Sequence, residues 1–186
     1  IVATLTGSVV VTVVSVYLDL RERQPGLRRW GLAWVAYSLR LTFDLLGAWM
    51  LPGSMVVLAA SQLLGLLAGI LLLEGSLQLM GRKVRQWPRW AAFCVAVWLV
   101  GAASVGASNA VVSAPVFAVL GVANIVTGVA WFRSGPDTGP WAKITGGAFL
   151  IWGLHKFDYP FLRAATGFAS AGYLLSTLLE FAVAIG

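Results

Sequence analysis

The densest group of chemically capable residues is Trp152 followed by His155-Lys156-Phe157-Asp158-Tyr159-Pro160-Phe161-Leu162-Arg163. On a helix, Trp152, His155, Asp158 or Tyr159, and Leu162 follow i, i+3, i+4, i+7 spacing and share one face. Pro160 has no N–H, so the carbonyl of Lys156 loses its helical donor and becomes a free acceptor beside an imidazole and a carboxylate. Backbone polarity of that kind survives at membrane depth only where protein or a cavity covers it. Two readings follow. One is a helix exit, with Lys156 and Arg163 extending to lipid headgroups. The other is a ligand or metal site formed by Trp152, His155, Lys156, Asp158 and Tyr159. As metal ligands, His155 and Asp158 supply two donors. There is no second His, and Cys94, Met50, Met55 and Met80 are scattered, whereas zinc takes four ligands, mostly nitrogen or sulfur. A metal, or a haem with His155 as its single axial ligand, is therefore the weaker alternative, and the cofactor is left open.

Other ionisable residues interrupt apolar runs, where their cost makes each a functional candidate. Arg40 and Asp44 lie four apart and can pair along one helix face. They are either a self-neutralised structural pair or the charged floor of a ligand cavity. Gln62 and Asn124 fall at similar depth and suit hydrogen bonding between helices. Glu74 and Gln78 stand four apart near the end of the third run, and Glu180 is expected at a similar depth in the last. These carboxylates either meet basic loop residues or form a polar coupling element. No G-x-S-x-G, H-E-x-x-H, P-loop or C-x-x-C is present, and the last run has no lysine for a retinal Schiff base. No enzymatic activity is expected of this chain.

The elements that carry these residues follow from composition. The 186 residues are 59% hydrophobic and 11% charged, with a mean hydropathy of +0.86. A soluble domain is roughly 45–50% apolar and about 25% charged. A water-soluble globule and a disordered chain are both excluded, which leaves an integral membrane protein. A helix needs about 20 mostly apolar residues to cross a bilayer. Seven runs qualify, at about 1–20, 30–51, 54–80, 89–107, 109–132, 141–162 and 167–186. Their separators are short and rich in Gly, Pro or Arg. The faintest, at Gly106, Ser108 and Asn109, is required because the stretch from Arg89 to Phe132 is too long for one crossing. The predicted fold is all-α, a single polytopic bundle of seven transmembrane helices over residues 1–186.

Ten of the thirteen basic residues flank the separators after runs one, three and five. By the positive-inside rule this puts the N-terminus outside and the C-terminus in the cytoplasm. The net charge of +6 is thus an orientation signal, and no nucleic-acid partner is expected. The chain opens on Ile1 rather than Met and ends on an apolar run, so a further segment is expected on either side.

The stretch from Trp152 to Arg163 resembles the N-terminal multi-span membrane region of many bacterial signalling proteins, in which it precedes PAS domains, histidine kinases or diguanylate cyclases. The early pattern of Tyr17, a short basic loop, Arg28-Arg29-Trp30, Trp34 and Arg40 is similar too. The resemblance implies a multi-pass sensor of the bacterial inner membrane, working as a homodimer in a two-component or cyclase pathway. On this reading a small amphipathic ligand enters among Trp152, His155, Lys156, Asp158, Tyr159, Arg40 and Asp44, and Glu74 and Glu180 couple it to output. The alternative is a small-molecule transporter, for which Pro115 is the one interior proline that would break a helix at mid-depth.

Overall fold

The computed structural model describes residues 2–134, 139–162 and 168–185. They form seven α-helices: α1 (Val2–Glu22), α2 (Pro25–Trp49), α3 (Met55–Leu79), α4 (Trp87–Ser104), α5 (Asn109–Phe132), α6 (Gly139–Leu162) and α7 (Phe168–Ile185). Three of them, α1, α3 and α5, are long and apolar enough to cross a membrane.

Each boundary has a local cause. Pro25 and Pro88 stand in the first turns of α2 and α4, where proline's fixed φ suits the helix and its missing N–H costs nothing. Arg28 and Arg29, read from sequence as loop, therefore belong to the first turn of α2, which begins five residues earlier than its apolar run. Ser54 caps α3, its side chain accepting from the Val57 N–H at 3.4 Å. The faint break after α4 is a Schellman turn: Gly106 has φ +69°, Ala107 N–H bonds the Ala102 carbonyl at 3.0 Å, and Gly106 N–H bonds Ala103 at 3.2 Å. Only a residue tolerant of positive φ closes a helix in this way.

The helices form a closed ring in the order α1, α2, α3, α5, α6, α7, with α4 outside it against α3 and α5. Two junctions are cut by glycine. A Cβ on Gly26 or Gly75 (α2 and α3), or on Gly121, Gly128, Gly146 or Gly153 (α5 and α6), would stand 2.7–3.0 Å from the opposing glycine's carbonyl oxygen. Such backbone approach is the usual use of small residues between apolar helices. Across the ring the backbones of α2 and α6 do not touch among the described residues. Aromatic rings fill the gap instead. Trp30 meets Trp131 at 6.5 Å and Phe149 at 6.3 Å, and Tyr37 meets Trp34 at 5.9 Å and Trp152 at 5.8 Å, all near perpendicular. Edge-to-face pairs of this kind add to the energy of burial.

Pro115 does not open α5. It withholds the N–H that the Val111 carbonyl would accept, and the Trp98 indole N–H from α4 fills the vacancy at 3.2 Å. The resulting molecule is inverted relative to a soluble protein. Val10, Val13, Phe93, Val97, Val100, Ile151 and Leu154 face outward, while Arg40, Gln62, Glu74, Asn124, Lys156 and Glu180 are buried.

Candidate functional site

One end of the bundle carries the α1–α2 and α3–α4 connections, the end of α5 and most of the described arginines; the α2–α3 and α4–α5 turns mark the opposite end. At this opposite end the last turns of α2, the first turns of α3 and Asn109 enclose a cavity of about 180 Å³, with Asp44 in its wall. Drug-sized pockets run from roughly 300 to 1,000 Å³, so only a small molecule or part of a larger one fits.

Below the cavity, α2 presents Tyr37, Arg40 and Asp44 to the interior at i, i+3, i+7. Arg40 Nε lies 3.8 Å from Asp44 Oδ2, and the Ser61 hydroxyl donates to Asp44 Oδ1. The arginine passes over Gly65 on α3, where a Cβ would come within 2.9 Å of its Cδ. Its guanidinium then stands 5.6 Å from the Tyr37 ring centroid. Gly65 is thus a groove for a charged side chain, unlike the backbone notches between α5 and α6. Gln62, one residue beyond Ser61, is also buried.

From Tyr37 the contacts cross to α6 and α7. Trp152 packs edge-on against Tyr37, and Lys156 Nζ sits 5.1 Å from the Trp152 ring and 6.0 Å from that of Phe117. Glu180, 1% exposed, is surrounded by Tyr37, Lys156 and Arg40. The Tyr37 hydroxyl is the side-chain donor that faces its carboxyl group. Two positive groups, a phenol and two carboxyl groups from three helices therefore share one largely buried interior, in which charge interactions are stronger than in bulk water.

The sequence-derived arrangement needs two corrections. Lys156 is 5% exposed and stays among aromatic rings instead of reaching a headgroup, because α6 turns its Phe149, Trp152 and Lys156 side inward. The face expected to carry Trp152, His155 and Asp158 together is buried at Trp152 and nearly so at His155, and Asp158 stands at its edge. His155 Nδ1 pairs with Asp158 Oδ1 at 2.9 Å on the flank, the first 10% and the second 49% exposed. The side chain of Tyr159 and the whole of Arg163 lie outside the described residues. Finally, Glu180 is not level with Glu74. It shares its surroundings with Tyr37 and Arg40, whereas Glu74 pairs with Arg29, eight residues before Tyr37 on α2.

Glu74 belongs to the arginine-rich end. It is buried, accepts from both Nε and Nη2 of Arg89, and lies 3.4 Å from Arg29 Nε. The pairing with Arg89 is the two-pronged fork that arginine forms with carboxylates. Nearby, the Trp30 indole N–H donates to the Ser76 hydroxyl at 3.2 Å. Among the described residues no three His, Cys, Asp or Glu side chains converge as a metal site would require. His155 and Asp158 form a two-donor pair.

Tyr37 and Ser61 escaped the sequence reading, while Gly65 is expected from sequence only as a small residue for close helix packing. Tyr37 stands three residues before Arg40 and so had the right spacing, but tyrosine in an apolar helix carries no signal of its own. No family model matches the chain, and no curated protein or solved structure matches it.

Proposed function

We propose that the chain is a membrane-embedded sensory module. Its seven helices each cross the bilayer, with the N-terminus outside and the α2–α3 cavity opening outward. It binds a small amphipathic molecule that presents a cationic or strongly donating group to Asp44. The observation that carries this reading is the continuous set of contacts from the cavity wall at Asp44, through Arg40 and Tyr37, to Glu180 on the last helix.

The mechanism is a competition for one carboxylate. With the cavity empty, Asp44 holds Arg40 and Ser61. A ligand donor at Asp44 weakens the hold on Arg40, and an alternative acceptor on the last helix is the carboxyl of Glu180, which already lies within Coulombic reach of Arg40 and faces the Tyr37 hydroxyl. The shift changes the interaction between α2 and α7, and α7 leads to the cytoplasmic side, where a kinase or cyclase domain reads it, two copies working together. A ligand drives such a change only to the extent that it prefers one arrangement. Here the preference comes from replacing Arg40 at Asp44. The outward-facing apolar side chains and the basic connections gathered at one end support the membrane orientation. Trp98 restores the bond lost at Pro115, so α5 offers no broken segment to support a carrier.

The test is what copurifies. The full chain and its Asp44→Asn variant, captured in nanodiscs from the same membranes, are compared by unbiased mass spectrometry and absorption spectroscopy. The expected result is a small molecule near one per chain in the parent and absent from the variant. Identical small-molecule content in both samples defeats the proposal, and a Soret band would move the site to His155.

A further inference from the structure

At the arginine-rich end, the end of α1, the α1–α2 connection, the start of α2 and the end of α3 border a second, open cavity of about 670 Å³. Arg23, Arg28 and Arg29 line it, facing Gln78 on α3, and Asp19 is the only acidic residue in its wall among the described residues. Arg29 spends one edge on Glu74, while its Nη1 is buried and meets no acceptor among the described residues. Glu74 is already held by the two-pronged contact from Arg89, so the charge of Arg29 is only partly used. The first turn of α2 opens at this end with no side-chain cap from Gln24. The start of α2 adds the positive end of a helix dipole.

The cavity also has an apolar side. Leu20 and Leu32 are 72% and 51% exposed and belong to the same wall. Arginines with unused donors, a helix N-terminus and flanking leucines make a site for a phosphate that carries a hydrocarbon tail. A free phosphate ion would use the arginines and leave the leucines bare.

We propose that this cavity binds the phosphodiester headgroup of an anionic phospholipid, with an acyl chain lying along Leu20 and Leu32. Basic pockets between helices on the cytoplasmic side are suited to such headgroups. The proposal requires the bundle to sit in a membrane. It is independent of whether the cavity at Asp44 senses a ligand.

The experiment uses the purified full chain and native mass spectrometry with three probes: phosphatidylglycerol, phosphatidylcholine and inorganic phosphate. Three proteins are compared: the parent, an Arg23→Gln/Arg28→Gln variant, and an Arg85→Gln/Lys143→Gln control that loses equal charge away from the cavity. Arg29 is left intact because Glu74 needs it. Phosphatidylglycerol is expected to bind the parent and the control alike, and to bind the cavity variant roughly thirtyfold more weakly, about fivefold for each arginine removed. Phosphatidylcholine is expected to bind far more weakly throughout. Equal binding of the two lipids overturns the proposal, as does equal loss in the cavity variant and the control. Displacement of phosphatidylglycerol by millimolar inorganic phosphate also overturns it, by making the free anion the ligand. An unchanged melting temperature of the cavity variant excludes misfolding as the cause of any loss.

Discussion

Arg40 and Asp44 form the joint on which the proposed sensing mechanism turns, and the geometry makes their removal unequal. Arg40→Met leaves Asp44 in the interior with Ser61 as its hydrogen-bond partner and Lys156 as a remaining cation within Coulombic reach. Breaking a buried ion pair by deleting one member costs roughly 3–5 kcal/mol. The side chain of Asp44 is 13% exposed and borders the cavity, so the lower end, about 3 kcal/mol, applies. Asp44→Asn is milder. The amide oxygen still accepts from Ser61, and Arg40 keeps the Tyr37 ring and gains the carboxyl of Glu180, so the expected cost is about 1–2 kcal/mol. Removing both charges, as Arg40→Met with Asp44→Asn, returns stability to within about 1 kcal/mol of the parent, because neither charge is left alone.

The decisive comparison adds Glu180→Gln. If Glu180 is the alternative acceptor for Arg40, then Asp44→Asn combined with Glu180→Gln costs at least about 1 kcal/mol more than the sum of the single changes. Unfolding of each variant in one detergent, followed by tryptophan fluorescence, gives the cycle. Additivity within about 0.5 kcal/mol, the expectation for independent sites, would refute the transfer of Arg40 from Asp44 to Glu180. So would an Asp44→Asn variant less stable than Arg40→Met.

Two further outcomes test the frame that holds this site. Trp98→Phe leaves the Val111 carbonyl without its donor and is expected to destabilise by about 1 kcal/mol; in a Pro115→Ala background, where the new alanine supplies the missing N–H, the same change should cost nothing measurable in the same unfolding assay. With Cys94→Ala as the parent, Leu51→Cys should react with an impermeant thiol reagent from outside intact cells and Lys83→Cys only after lysis; the reverse pattern would invert the orientation.

The helices were legible because each is built on a long apolar run and the turns between them are rich in Gly, Pro or Arg. Even the faint break between α4 and α5 followed from length, and Gly106 supplies the positive φ that closes it. The start of α2 was misplaced for an instructive reason. Hydropathy locates where a helix enters lipid, while Pro25 and the backbone decide where it begins, and Arg28 and Arg29 lie between the two. The closed ring with α4 outside it was not legible. It depends on glycine notches such as Gly121 with Gly153, which match across helices that sequence alone does not pair.

The site was legible in its members and not in their grouping. Arg40, Asp44, Lys156 and Glu180 stand out because charge in an apolar run is expensive wherever it points. Their grouping depends on the rotation of α6 about its axis, and a shift of one residue changes a facing by about 100°. Spacing from Trp152 leaves open whether Lys156 turns inward or reaches a headgroup, since the rotation is fixed by how the aromatic residues pack. Phe149 and Trp152 must fill the space between α2 and α6 that no backbone occupies, and Lys156, one turn beyond Trp152, is carried inward with them. Its ammonium then depends on ring faces and on the charges around Arg40 and Glu180. The same packing that stabilises the bundle thus commits a lysine to its centre. A protein that needed only a stable membrane helix would gain from a leucine at that position, so the presence of a charge there argues for a use of the interior beyond holding the helices together.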